Sequence, residues 1–291
     1  MKYLRSSSSS GRRRLALALA GLALLLGACS GRNAQVADPG QGQPSDSGAL
    51  HPSFSLSQAE FTELIAALPE ENQDSILPRQ AAFLDQLALL AAEPEELTWL
   101  VDKEHPLAAD HAPDDLVDLD DYADRLNLSR PGHRLRAIVL PDLLAMVDAA
   151  RSDGATLLIS SAYRSYEYQE TLYQYWVDQL GQEEADRVSA RPGTSQHQLG
   201  TAIDFGCICD EFAETDAGRW IIANGWKFGF SLSYPDGYED LTGYSYESWH
   251  FRYIGKTAAR LEREFFAGIQ QRLTEFTHSN AGAFLTFLIE I

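Results

Sequence analysis

Ser195-Gln-His-Gln-Leu-Gly-Thr-Ala-Ile-Asp204 is the stretch that decides the fold, and Glu247-Ser-Trp-His250 is its counterpart further along the chain. After Gly200, residues Thr201, Ile203 and Phe205 alternate with Ala202, Asp204 and Gly206. That is the period-two pattern of a buried strand. Its small residues leave room beside the Asp204 carboxylate, which is costly in an apolar strand unless it is paired or binds a cation. His197 comes seven residues earlier, and Gly200 lets the chain turn so that both side chains converge. In the second stretch a strand is predicted over 248–254. Trp249, Phe251 and Tyr253 form its core face, and His250 and Arg252 are expected to look toward the site. In a regular strand Glu247 would point away from His250, so it is expected at the strand's irregular start.

Two imidazoles and a carboxylate form the ligand set of a catalytic zinc site. Three protein ligands leave a fourth position for water, and the spare carboxylate of Glu247 can work on that water. A structural zinc site would close its shell with four protein ligands, usually thiolates. The thiols nearby are Cys207 and Cys209, one residue apart. Alternate positions of a strand rarely reach disulfide geometry, so these read as two partly buried free thiols. No His-Glu-x-x-His occurs in the chain, which excludes that class of metalloprotease.

Outward from these motifs, further strands are predicted at 156–160 and 226–230, with a short candidate at 99–101. Helical spacing of apolar residues predicts helices over 55–68, 80–92, 141–151, 166–180, 215–224 and 256–273. Strands and helices alternate irregularly, with no internal repeat and no glycine-rich phosphate loop. The pattern predicts an α+β domain: a small, mostly antiparallel sheet with packed helices, over 99–273, preceded by a helical extension over 53–98. The tail, 274–291, ends in an apolar run from Ala283 that is expected to dock on the domain.

The N-terminus reads as an export signal. Five basic residues and no acid precede an apolar run from Leu15 to Leu26, too short to span a bilayer comfortably. Leu26-Gly-Ala-Cys29 looks like a bacterial lipobox, giving a signal over 1–28 and a lipid on Cys29. Residues 29–52 are rich in Gly, Ser, Gln, Pro and Asp and cannot bury enough surface to fold, as a flexible tether would. The expected location is the cell envelope, lipid-anchored and facing the periplasm or the exterior, with membrane contact through that lipid. The chain has net charge −19, and without the five signal cations it keeps 18 basic against 42 acidic residues, or −24. That balance argues against nucleic acid or an anionic membrane surface as a partner.

Ser195-x-His-Gln-x-Gly-x-Ala-x-Asp204 followed by Glu247-x-Trp-His250-x-x-Tyr253 resembles the signature of the D-alanyl-D-alanine carboxypeptidases typified by VanY. These zinc peptidases include D-Ala-D-Ala dipeptidases and L,D-carboxypeptidases of peptidoglycan. Ser161-Ala-Tyr-Arg-Ser165, with Gln169 on the following helix, matches a third family motif. Asp102-Lys-x-His-Pro-Leu107 and Pro113-x-Asp-Leu-Val117 look like the family's opening segment, so the resemblance covers about 99–266. It implies one zinc per chain, held by His197, Asp204 and His250, with Glu247 as general base. It implies that Arg164 binds substrate and helps stabilise the anionic intermediate, with Gln169 and Ser195 as further substrate contacts. It also implies the α+β fold shared with hedgehog signalling domains. Two positions depart from the pattern: His111, where an aromatic such as tyrosine is expected, and Gly206-Cys-Ile-Cys209. The activity implied is removal of a terminal D-alanine from peptidoglycan stem peptides, by D,D- or L,D-cleavage. A dipeptidase or endopeptidase on the same substrate, or a non-catalytic wall-binding lipoprotein, are the alternatives. The presence of Glu247 favours an enzyme.

Overall fold

The computed structural model describes the backbone of residues 49–287 and the side chains of 49–281. The export signal, Cys29 and the tether up to residue 48 lie outside the described residues.

The first α-helices of the described residues are α1 (Gln58–Ala66), α2 (Glu70–Ile76) and α3 (Gln80–Leu90). Ser57 starts α1 through a capping box: its hydroxyl accepts from the Glu60 amide, and the Glu60 carboxylate accepts from the Ser57 amide. The short strands β1 (Leu116–Asp118), β2 (Asn127–Leu128) and β3 (Arg134–Arg136) follow, then α4 (Leu140–Ser152) and β4 (Leu158–Ser161). Next come α5 (Tyr166–Leu180), α6 (Gln182–Val188), β5 (Ala202–Phe205), α7 (Asp216–Asn224), β6 (Phe230–Leu232), α8 (Glu239–Thr242) and β7 (His250–Tyr253). Two helices, α9 (Lys256–Phe265) and α10 (Gln270–Phe287), complete it.

Five strands make one sheet in the order β2-β4-β5-β7-β6, antiparallel except for the β2–β4 pair, while β1 and β3 pair separately. This is the α+β architecture anticipated above. One face of the sheet is apolar. Ile203, Phe205, Phe230, Phe251 and Tyr253 cluster with Leu143, Met146 and Val147 of α4. A second core joins Phe61, Ile65, Ile76 and Phe83 of the first helices to Leu261, Phe265, Leu273 and Phe276 of the last two. Phe83 sits at its centre, its ring edge-on to Phe265 at 5.2 Å and to Phe276 at 5.9 Å.

Four local readings are corrected. Residues 225–228 form a 3₁₀ turn, and β6 begins only at Phe230. Trp226, Phe228 and Phe230 imitate strand alternation, but Gly229 at φ +86 breaks it, and a Cβ there would meet the Tyr253 ring at 2.7 Å. Residues 256–273 are two helices rather than one. The apolar spacing runs on, but Ala267 and Gly268 both adopt positive φ and the Gly268 amide caps the Glu262 carbonyl. No strand forms at 99–101, because the Leu97 and Trp99 carbonyls are taken by the Arg252 guanidinium at 3.0 and 2.9 Å. Finally, Cys207 and Cys209 are joined by a disulfide, with 5.3 Å between their Cα atoms. The expectation of free thiols assumed a strand there. Instead β5 ends at Phe205, and Gly206, at φ +67 against the Phe212 ring, turns the chain into a loop where the two sulfurs can meet.

Candidate active site

Asp204 lies at the centre of the sheet, opposite Ser161 of β4 on one side and His250 of β7 on the other. The register alone therefore places an imidazole beside the carboxylate. His197 comes from the 3₁₀ turn of residues 196–199 just before β5. Gly200, at φ +69, closes that turn, and its missing side chain admits Arg136 and Leu116, which a Cβ would meet at 3.0 Å. The three residues are almost entirely inaccessible: His197 is 0 % exposed, and Asp204 and His250 are each 3 % exposed.

Their contacting atoms converge. Asp204 Oδ1 is 3.2 Å from His197 Nε2 and 3.1 Å from His250 Nδ1. The two imidazole rings stand perpendicular, with centroids 4.8 Å apart. Each ring spends its other nitrogen on a protein acceptor: His197 Nδ1 donates to the Ala162 carbonyl at 2.6 Å, and His250 Nε2 to Gln196 Oε1 at 3.3 Å. A carbonyl can only accept, so the protons sit on those nitrogens and the inward ones present lone pairs. His197 Nε2 and Asp204 Oδ1 are consequently buried without a hydrogen-bond partner. Buried acceptors facing one another are costly, and a bound cation resolves the conflict. Imidazole and carboxylate donors with outer hydrogen bonds that fix the tautomer suit a divalent metal such as zinc.

The electrostatics agree. Burial, reinforced by the Arg164 charge, lowers His197 to about 4, which keeps the ring neutral and able to coordinate. Arg164 NH2 lies 3.9 Å from Asp204 Oδ2, and the Arg164 amide donates to the His197 carbonyl. Its Nε is buried without a partner. The guanidinium thus stands at the edge of the cluster with donor capacity in reserve.

Glu247 lies just ahead of β7, in the non-strand segment anticipated for it. Its amide donates to the Tyr234 carbonyl and its own carbonyl accepts from the His250 amide, so a tight turn swings the carboxylate inward. Glu247 Oε2 ends 3.4 Å from His250 Nδ1. Burial, and then the Asp204 charge, push it up to about 8, against the opposing pull of Arg164.

His197, Asp204, His250, Glu247 and Arg164 are therefore brought together. Gln169 and Ser195 are placed differently. Gln169 is 1 % exposed and donates from Nε2 to the Ala190 carbonyl, supporting the loop that leads into Ser195. Ser195 is buried at the start of the 3₁₀ turn, its carbonyl accepting from the Gln198 amide. Arg252 shares the face of His250 but does not reach the site, because its guanidinium turns to the Leu97 and Trp99 carbonyls. Three contributors escaped the sequence reading. Gln198 donates from Nε2 to the Ala108 and His111 carbonyls, tying the 102–111 loop to the motif. Gln196 holds the tautomer of His250, and Tyr234 packs against the same imidazole, its ring tilted by 49° with centroids 4.9 Å apart. Both glutamines sit inside the motif, where a polar side chain in a buried run was the available signal. Tyr234 carried none.

Residues 132–256 match the family described as VanY: D-alanyl-D-alanine carboxypeptidase. A D-alanyl-D-alanine carboxypeptidase of Enterococcus faecalis is 30% identical over 207 residues, 67% of this chain and 68% of that protein. The structure of the LdcB LD-carboxypeptidase, 32% identical, aligns over 64% of this chain and 88% of its own with a TM-score of 0.56. The vancomycin-resistance D,D-pentapeptidase VanY, solved as a point mutant in complex with Zn(II), is 31% identical and aligns over 62% and 99% with a TM-score of 0.51. Other curated relatives are longer than the shared region, and the chain spans 63% of one and 53% of another. With its sheet, its buried His/Asp/His cluster and its matched segment in agreement, this chain belongs to the VanY family of D-alanyl-D-alanine carboxypeptidases.

Proposed function

We propose that this protein is a zinc-dependent carboxypeptidase that removes a terminal D-alanine from peptidoglycan stem peptides, by D,D- or L,D-cleavage. One observation carries the reading: three buried lone-pair donors converge on one point, with the Glu247 carboxyl alongside. His197, Asp204 and His250 would hold the zinc. Bound there, zinc supplies Lewis acidity, lowering the pKa of water to about 7 and polarising the scissile carbonyl.

The remaining work falls to the chain's own residues. Glu247 takes a proton from the attacking water and returns it to the leaving amine, and a carboxyl poised near neutral pH suits both steps. Arg164, with its unpartnered Nε, faces the charge that develops on the scissile carbonyl or the substrate's terminal carboxylate. Gln169 and Ser195, both buried, would act through the segment they support: Gln169 holds the Ala190 carbonyl and Ser195 starts the turn that carries His197. Support for the substrate class comes from the relatives, one named a D-alanyl-D-alanine carboxypeptidase and another an LD-carboxypeptidase. The basic N-terminus and Leu26-Gly-Ala-Cys29 support export and lipid anchoring in the cell envelope, where this substrate is found.

The test is incubation with tetrapeptide and pentapeptide stems, followed by mass spectrometry of the products. Loss of a single alanine is expected, abolished by chelation and restored by zinc. Release of an alanine dipeptide would make the protein a dipeptidase instead, and undiminished turnover in metal-free protein would overturn the zinc assignment.

A further inference from the structure

The His250 imidazole is held from behind by a chain of amides that begins on the last helix. Gln270 opens α10 and is 2 % exposed. Its Nε2 donates to the Ser231 carbonyl at 3.4 Å, and its Oε1 accepts from Gln196 Nε2 at 3.1 Å. That leaves Gln196 Oε1 to accept from Ser233 Oγ at 2.7 Å and from His250 Nε2 at 3.3 Å. Gln196, Ser233 and His250 are also buried, at 4 %, 2 % and 3 % exposure.

The order of donors along this chain has only one self-consistent direction. The Ser231 carbonyl can only accept, so it takes the Gln270 NH₂ and turns Oε1 toward Gln196. Gln196 must then present its NH₂ to Gln270 and its oxygen to His250. An acceptor at that point requires the His250 proton on Nε2 and leaves the Nδ1 lone pair facing Asp204. Reversing either amide would set NH₂ against NH₂, or a carbonyl against a carbonyl, in a site closed to water.

Resting on the metal-centre reading above, we propose that Gln270 is a positioning residue for the ligand His250, acting through Gln196 and Ser233. Its location follows from the break between α9 and α10. Ala267 at φ +56 and Gly268 at φ +72 reverse the chain, and the first residues of the new helix come to lie under the motif. The relay therefore starts outside the family-matched segment 132–256. It starts on a helix whose Leu273 and Phe276 belong to the helical core. The helical layer orients the metal centre as well as adding stability.

The experiment measures the zinc dissociation constant of the full chain by chelator competition, and the solvent exchange of the His250 Nε2 proton in the zinc-loaded chain by NMR. Gln270→Met keeps the side-chain length and removes both amide groups. It should weaken zinc about tenfold, the lower end for loss of an outer hydrogen bond, and should speed exchange of the His250 Nε2 proton. Asn72→Ala is the control. It breaks another buried amide, Asn72 Nδ2 to the Phe265 carbonyl, in the same helical layer, and should leave zinc affinity unchanged. Equal zinc affinity in Gln270→Met and the unaltered chain would overturn the proposal. So would a rapidly exchanging His250 Nε2 proton in the unaltered chain, a result that needs no variant to fold. Failure of the unaltered chain to bind zinc would instead remove the metal-centre reading on which the relay rests.

Discussion

The sheet core and the helical core bury much the same side chains and do different things. Around Phe83, the buried amide of Asn72 finds a backbone carbonyl, and the rings of Phe61, Phe265 and Phe276 fill the space. Across the sheet from its own aromatic cluster, Asp204, His197 and His250 bring acceptor against acceptor. A protein interior ordinarily pairs its polar groups. Asn72 Nδ2 obeys that rule although its Oδ1 has no partner, whereas the metal-site cluster turns two unpartnered acceptors, His197 Nε2 and Asp204 Oδ1, on one another. That convergence, rather than cavity size, marks the chemistry. The apolar groove between Phe54, Leu87, Trp99 and Thr277, about 360 Å³, contains none of the metal-site residues.

The contrast can be pressed from both sides. The largest effect is expected at the site: Glu247→Gln should lower turnover of stem peptides by about 10²–10⁴, the usual worth of a positioned acid–base group. It should keep its zinc and unfold no more easily, since an ionised carboxylate there is disfavoured by burial. Turnover within a few-fold of the unaltered chain would remove Glu247 from the mechanism. Phe83→Ala should do the reverse. Emptying a fully buried ring position costs about 3–5 kcal/mol in denaturant unfolding. Turnover at a temperature where the variant remains folded should be little changed, and a lost metal centre would show that the two layers are coupled more strongly than the Gln270 relay alone provides.

The smallest effect is a pH dependence that belongs to the helical layer. Burial pushes the Glu262 carboxyl of α9 up to about 8 from the 4.5 of a free glutamate, although Ser231 and Arg263 oppose the shift. The folded chain therefore holds this proton over a range where the unfolded chain has lost it. The stability it contributes is complete below about pH 4.5 and declines as pH rises toward about 8. Glu262→Gln removes that contribution. The stability difference between the variant and the unaltered chain, measured by thermal unfolding, should shift in favour of the variant as pH rises across this interval. A difference independent of pH would show that the carboxyl is solvated and ionised throughout.

Strand phase made the faces of β5 and β7 legible in advance. Asp204 and His250 fell on the polar side and Ile203, Phe205, Phe251 and Tyr253 on the apolar side, as found. Glu247 could be assigned to irregular backbone because a residue three before His250 cannot share its face in a strand. The same logic misled at Arg252, whose long side chain left its face for carbonyls more than 150 residues away in sequence. It misled again at Cys207 and Cys209, where one glycine ended the strand earlier than alternation suggested. Gln270 carried no local signal, since its partners Gln196, Ser231 and Ser233 are distant in sequence.

Taken alone, the sequence determined which residues could coordinate and which face of each strand they occupy, because side-chain chemistry and a two-residue period are local properties. It also determined the antiparallel α+β plan, and it carries the N-terminal motifs on which the proposed location rests. Tertiary structure decided which nitrogen of each imidazole faces inward, where Glu247 and Arg164 stand relative to them, and which groups on a helix beyond the motif reach the back of His250. Those outcomes depend on hydrogen bonds between segments far apart in the chain, whose directions are settled only when all of the buried donors and acceptors are matched at once.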